Sequence, residues 1–225
     1  MGSNLAAYMR SQSLPGFIMA AAPERTLVVA VVLAAGSSAR MGKPKLTLPV
    51  EGKPMLERVL GTLRKTRVAG VVVVLGAHAQ TIRAETGFKG EKVVVNHRHH
   101  EGMSGSLKLG IESAGAEADA VMVVLADMPL LEPRTVDALI GAYETTRPKA
   151  VVPVCGGRRG NPVILDRSLF PTVMKLHGDV GAKSVVAASG GAVLEVPVDD
   201  SGVLYDVDDP EAYLSLLRQL SEDAT

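Results

Sequence analysis

Val28-Val29-Ala30-Val31-Val32-Leu33 runs directly into Ala34-Ala35-Gly36-Ser37-Ser38-Ala39-Arg40-Met41-Gly42-Lys43-Pro44-Lys45, and this stretch decides the fold. Its first six residues are continuously apolar and too few for a typical helix. Such a run reads as a strand covered on both faces. The small residues that follow let the backbone approach a ligand closely, and successive N–H groups there can form an anion-binding concavity. Arg40, Lys43 and Lys45 add charge suited to a triphosphate. Two familiar phosphate loops fail on spacing. A P-loop needs four residues between its glycines and then Lys-Ser/Thr, whereas five separate Gly36 from Gly42 and Pro44 follows Lys43. A dinucleotide fingerprint needs three glycines, and only Gly36 and Gly42 are present. A tight strand-to-helix turn with solvated charges is the plainer alternative.

Working outward, further short apolar runs lie at 71–75, 93–95, 121–125, 150–154 and 193–196. Helix-like stretches alternate with them at 55–65, 80–85, 106–114 and 133–143, the last with Pro133 in its first turn. Asp209-Pro210-Glu211 reads as an N-cap, a first-turn proline and a dipole-favoured acid opening a final helix with Leu214, Leu217 and Leu220. The alternation predicts an α/β fold: a doubly wound, mostly parallel sheet in three layers. In such sheets ligands gather at the carboxyl ends of the strands. Residues 26–225 read as a single domain. Residues 1–25 read as a disordered leader, with Met1-Gly2-Ser3 of the kind left by cloning. The apolar stretch 14–22 is short and broken by Pro15 and Gly16, which argues against a signal peptide.

Lys plus Arg and Asp plus Glu both number 24, so no net field steers nucleic acid or an anionic membrane toward the chain. Aromatics make up 3% with no Trp, which removes the stacking platforms a single-strand binder needs. No apolar run reaches the roughly 20 residues that span a bilayer. One cysteine, Cys155, forms no internal disulfide framework and fits a reducing, cytoplasmic setting. It follows a strand without a paired base, which suits a structural thiol. His97, His99 and His100 match no standard zinc spacing and read as a solvated basic stretch.

Asp127 ends the apolar run 121–125, where a buried unpaired carboxylate would be costly. At a strand's carboxyl end it is placed to hold Mg²⁺ on a triphosphate, or else to cap a turn before Pro129. Asp206 and Asp208, two apart, share one side of an extended segment. Gly102-Met103-Ser104-Gly105-Ser106 opens a helix whose free N–H groups and hydroxyls suit ribose or base recognition, or a plain cap. Arg158 and Arg159 offer guanidinium forks for a phosphate.

Leu-Ala-Ala-Gly-x-Ser-x-Arg-Met-Gly-x-x-Lys resembles the signature loop of the MobA-like nucleotidyltransferases. The resemblance continues through Gly102-Met103-Ser104-Gly105-Ser106-Leu107, Leu125-Ala126-Asp127-Met128-Pro129, Gly160-Asn161-Pro162-Val163, Gly178-Asp179-Val180-Gly181-Ala182-Lys183 and Asp206-Val207-Asp208-Asp209-Pro210-Glu211. It spans about residues 27–218 and is nearer the molybdenum cofactor cytidylyltransferase (MocA-type) branch than the guanylyltransferase branch.

The resemblance implies a Rossmann-like sheet of the nucleotide-diphospho-sugar transferase type. It implies transfer of CMP from CTP to the phosphate of molybdopterin or molybdenum cofactor, with release of pyrophosphate. Leu33, Ala34, Ala35, Gly36, Ser37, Ser38, Arg40, Met41, Gly42, Lys45, Gly102, Ser104 and Ser106 would bind the nucleotide. Arg40 and Lys45 would hold the triphosphate. Asp127, with Asp206 or Asp208, would hold Mg²⁺, or Mn²⁺ in its place. Arg159, Asn161, Asp179 and Lys183 would face the acceptor. Asn161 stands where many of the branch carry His, and Lys183 where Arg is commoner, which leaves the exact acceptor open. Ala35 favours CTP, because Leu-Ala-Gly-Gly accompanies guanosine in the family. Alternatives are GTP, another phosphorylated acceptor, or a cofactor-sheltering chaperone for a client molybdoenzyme.

Overall fold

The computed structural model describes residues 26–222; the expectation of a leader at 1–25 falls outside the described residues. Among the described residues ten strands form: β1 (Val28–Ala34), β2 (Pro49–Val50), β3 (Lys53–Pro54), β4 (Gly70–Leu75), β5 (Lys92–Val95), β6 (Ala120–Leu125), β7 (Ala150–Cys155), β8 (Arg158–Arg159), β9 (Val163–Asp166) and β10 (Val193–Pro197). Seven α-helices accompany them among the described residues: α1 (Met55–Leu63), α2 (Ala79–Glu85), α3 (Met103–Ala114), α4 (Pro133–Thr146), α5 (Phe170–Val173), α6 (Ala182–Ala188) and α7 (Pro210–Glu222).

The main sheet runs β10-β7-β9-β6-β1-β4-β5, with β8 paired to the end of β7. β1 is parallel to both β4 and β6, β5 is parallel to β4, and β10 is parallel to β7. β9 is antiparallel to β6 and β7. The sheet is thus mostly parallel, as the continuous apolar runs imply. β9 itself has no counterpart among the expected strands. It is four residues long, and the hairpin through β8 returns the chain antiparallel without a crossover helix.

Alternate residues of β1 serve opposite faces. Ala30, Val32 and Ala34 join a core with Leu56, Val59, Leu60 and Leu63 of α1 and Val136, Leu139, Ile140 and Tyr143 of α4. Both helices present i, i+3, i+4, i+7, one apolar stripe each. Val31 belongs to a second core with Leu107 and Ile111 of α3, Val173 of α5 and Val185 and Val186 of α6. Three layers result. α3 packs close to the sheet because it carries Gly110, where a Cβ would stand 2.3 Å from Val31 Cγ1.

The last helix departs from the expected pattern. Leu214 is 52% exposed, while Leu216 is buried with Val50, Met55 and Val207, flanked by Tyr213 and Leu220. Tyr213, Leu216 and Leu220 at i, i+3, i+7 form the inward stripe instead of Leu214, Leu217 and Leu220. The Asp209 cap is present: its carboxylate accepts the Ala212 N–H at 2.9 Å. No helix of the described residues is long and apolar enough to cross a membrane.

Candidate active site

The winding reverses at β1: β4 and β5 lie on one side of it, and β6 on the other. A crevice opens at such a switch point, beyond the carboxyl ends of the strands. Leu33 is in register with Leu125 across it, and the Ala126 N–H donates to the Leu33 carbonyl at 3.2 Å. The glycine-rich loop and Asp127 therefore leave adjacent strands side by side.

The loop turns twice through left-handed backbone, at Ser38 (φ 52) and Gly42 (φ 65). Ser38 Oγ accepts the Lys45 N–H at 3.1 Å and closes the loop on itself. Buried Leu46 anchors its far end. Two residues outside the signature stretch shape it. A Cβ at Gly76, just past β4, would lie 2.5 Å from the Ala35 carbonyl oxygen, so glycine there allows the loop to seat. His78 Nε2 lies 2.9 Å from the Ser37 carbonyl. A Cβ at Gly36 meets nothing within 4 Å, so the space it leaves open belongs to the cleft.

Lys45 crosses to the β6 side. Its Nζ donates to Asp127 Oδ2 at 2.5 Å and to Asp208 Oδ1 at 2.9 Å, and Arg40 pairs with Asp208 Oδ2 at 3.2 Å. The side chains of Lys45 and Asp127 are only 13% and 15% exposed, so this contact is shielded from solvent. Burial pushes the Asp127 carboxyl above its ordinary range, outweighing the pull of Lys45. Burial works to lower the Lys45 pKa, yet the charge and hydrogen bond of Asp127, aided by Asp208, raise it overall. The hydrogen bond from Lys45 holds Asp208 below its usual value. The Val207 N–H donates to the Asp127 carbonyl at 3.0 Å, which sets the 206–208 segment over the end of β6.

Asp127 Oδ1 is buried without a hydrogen-bond partner among the described residues. An orphaned carboxylate oxygen, with the Asp208 carboxylate on the same lysine, offers the hard oxygen donors that Mg²⁺ and Mn²⁺ take, although no three metal-binding side chains come together among the described residues.

These groups open onto a cleft of about 670 Å³ lined by residues 33–38, Lys45, Leu46, His99, His100, Gly102, Met103, Ser106, residues 125–127, Asp179, Asp206 and Asp208. Asp206 and Asp208 both reach it, as their spacing implies. His99 and His100 also line it, while His97 and His100 are exposed, so the solvated stretch borders the cleft. Ser104 is 4% exposed and lies outside the lining, its N–H spent on the Gly178 carbonyl at 3.2 Å. Met41 and Gly42 shape the loop without lining the cleft.

The four acceptor-side residues are not brought together. Asp179 lines the cleft and accepts the Met103 N–H at 3.3 Å. Arg159 is exposed on β8 and paired with Glu195 at 2.5 Å. Asn161 is tied by its N–H to the Val203 carbonyl at 2.9 Å, and Lys183 is exposed on α6; neither lines the cleft. Sequence reasoning missed Asn96, which is 8% exposed just past β5. Its Nδ2 donates to Ser106 Oγ at 3.0 Å and its Oδ1 accepts the Arg98 N–H at 2.9 Å. Asn96 follows Val93-Val94-Val95 as Asp127 follows its own strand, and that placement was the available signal.

The family model of the MobA-like NTP transferase domain matches residues 30–193. The chain belongs to that family. Its relatives include Nicotine blue oxidoreductase of Paenarthrobacter nicotinovorans, 32% identical over 202 residues, covering 84% of this chain and 96% of that one. Purine catabolism protein PucB of Bacillus subtilis (strain 168) is 32% identical over 206 residues, covering 86% and 98%. Among solved structures, Rv0371c of Mycobacterium tuberculosis H37Rv superposes with a TM-score of 0.79 at 30% identity, covering 86% of this chain and 98% of that one. A further structure of Rv0371c is a complex with manganese, with a TM-score of 0.74 at 28% identity and coverage of 86% and 99%.

Proposed function

We propose that this MobA-like protein is a cytoplasmic enzyme that transfers CMP from CTP to the phosphate of molybdopterin or molybdenum cofactor, releasing pyrophosphate. The observation that carries this reading is the Lys45 bridge between Asp127 and Asp208 at the mouth of the β1–β6 crevice. It sets cationic and carboxylate groups side by side where a metal-bound triphosphate needs both.

In this reading the backbone of 34–38 cradles the phosphates, and Arg40 and Lys45 neutralise the charge that develops as pyrophosphate leaves. Asp127, with Asp206 or Asp208, would hold Mg²⁺, which supplies charge neutralisation and in-line orientation at the α-phosphate. Such an ion would complete its coordination with the nucleotide's phosphates and water. The acceptor phosphate is already anionic, so no protein base is required. Ala35 lines the cleft, and CTP is favoured over GTP because Leu-Ala-Gly-Gly accompanies guanosine in the family that the loop resembles. The acceptor would enter past His99, His100 and Asp179.

The test is pyrophosphate release by the purified chain with Mg²⁺, molybdopterin and each of the four nucleoside triphosphates. CTP-dependent release is expected. Release with GTP alone would overturn the base assignment, and binding of the cofactor without release from any nucleotide would favour a sheltering role.

A further inference from the structure

We infer that Asn96 fixes the hydrogen-bonding polarity of Ser106, so that the cleft wall presents a hydroxyl donor to a lone pair on the nucleoside part of the bound nucleotide. This rests on the nucleotide-binding reading above and assigns a positioning residue to it.

The argument begins with a group that can only donate. The Arg98 backbone N–H points at one end of the Asn96 side chain at 2.9 Å, so that end must be the carbonyl oxygen. The amide nitrogen therefore faces Ser106 Oγ, at 3.0 Å. An NH₂ group has no lone pair to offer, so Ser106 accepts from Asn96 and its own hydrogen turns elsewhere. Among the described residues, no protein acceptor receives that hydrogen. Ser106 is 3% exposed, and it lines the cleft. Its hydrogen is thus delivered to whatever occupies the cleft, and the hydroxyl cannot reverse without setting two donors against each other.

The ligand's nucleoside end is the part that fits this wall. Asn96 lies just past β5, which is three strand spacings or roughly 14 Å from β6, the strand that leads to Asp127. Phosphates held at Lys45 place the sugar and base toward Asn96. Asn96 is itself held rigidly, its N–H donating to the Leu75 carbonyl at 2.8 Å. The Ser106 partner is then a base carbonyl or ring nitrogen, or a ribose oxygen.

Asn96→Asp is the informative change, because it keeps the shape and the Arg98 contact but replaces the donor with an acceptor. Ser106 would turn its hydrogen inward and face the ligand with lone pairs. Calorimetric titration of the full chain with CTP and Mg²⁺ is expected to show about a tenfold loss of affinity for Asn96→Asp and for Ser106→Ala. In a Ser106→Ala background, Asn96→Asp should cost nothing more, which a merely structural role would not reproduce. Repeating the titration with 2′-deoxy-CTP and 3′-deoxy-CTP identifies the ligand atom. A loss retained with both assigns the base or the ribose ring oxygen, and one that vanishes assigns that ribose hydroxyl. Wild-type affinity in Ser106→Ala overturns the inference, even should Asn96→Asp fail to fold. So does an undiminished Asn96→Asp loss in the double variant. Absence of any nucleotide binding by the unaltered protein would instead remove the nucleotide reading itself, and this one with it.

Discussion

Lys45 Nζ sits 2.5 Å from Asp127 Oδ2 in a shielded contact, while the other oxygen of the same carboxylate has no partner among the described residues. The lysine is therefore the resident cation at the place where a divalent ion would be held, and ligand arrival must redistribute these charges. Lys45→Met keeps the stem and removes the charge. Transfer should fall by about 10²–10³-fold, the scale for losing one preorganised electrostatic contact. Mn²⁺ binding in the absence of nucleotide, read by electron paramagnetic resonance, should become tighter because no protein cation competes for Asp127 and Asp208. Weaker Mn²⁺ binding in this variant would show that Lys45 supports the ion instead of occupying its place.

Asp127→Asn separates chemistry from folding. The amide is isosteric and removes a charge whose burial already pushes its carboxyl toward protonation. Turnover should drop at least about 100-fold, with the melting temperature near that of the unaltered protein. Unchanged turnover would take Asp127 out of the mechanism.

Gly36 and Gly76 make a matched pair of tests. A Cβ at Gly36 meets no protein atom, so Gly36→Ala should leave thermal stability unchanged and raise the KM for nucleotide. A Cβ at Gly76 lies 2.5 Å from a backbone oxygen of Ala35, so Gly76→Ala must displace the loop. It should weaken nucleotide binding and also lower the melting temperature. If Gly36→Ala binds nucleotide normally, the ligand backbone does not pass over that position.

What was legible in the sequence follows the range of the forces involved. β1 and its loop were readable because burial on both faces and a tight turn are written in consecutive residues. Asp127 was readable because a carboxylate at the end of an apolar run has few places to go. β9 was not, since four residues flanked by a hairpin carry no period. Asn96, Gly76 and the inward stripe of α7 owe their roles to partners 10 or more residues away, such as Ser106, Ala35 and Val50. The scattering of Arg159, Asn161 and Lys183 outside the cleft is of the same kind: family motifs give their order along the chain, and only tertiary packing fixes which of them face inward.

Tyr143 and Asp166 offer a pH-dependent test of the fold's lower end. The Tyr143 hydroxyl lies 2.6 Å from Asp166 Oδ2 and 3.1 Å from the Asp119 carbonyl, the carboxylate being the nearer acceptor. Burial works to raise the Asp166 pKa, but hydrogen bonds from Ser168 and Tyr143 lower it overall. A lowered folded-state pKa contributes stability that is present above the unfolded value of about 3.9 and is lost as pH falls through the folded value. Tyr143→Phe should cost about 1.5 kcal/mol at neutral pH. In chemical denaturation the gap to the unaltered protein should narrow below about pH 4. A gap constant with pH would assign the cost to packing alone.

Asp200 carries the strongest stability prediction. It is 3% exposed, yet its carboxylate accepts the Glu132 N–H at 3.1 Å, the Thr135 hydroxyl at 2.6 Å and the Gly202 N–H at 2.9 Å. One side chain thereby satisfies the start of α4 and fixes the 201–204 turn, from which the chain runs to Asp206 and Asp208. Asp200→Ala strands three donors in a buried site and should destabilise the fold by about 3 kcal/mol or more. Asp200→Asn keeps an acceptor for two of them and should cost less. Because the turn leads into the carboxylate segment, divalent-ion affinity in the presence of CTP should fall in both variants in the same order as stability. Full stability in Asp200→Ala would mean that water replaces the carboxylate, and the coupling from α4 to the cleft would be lost with it.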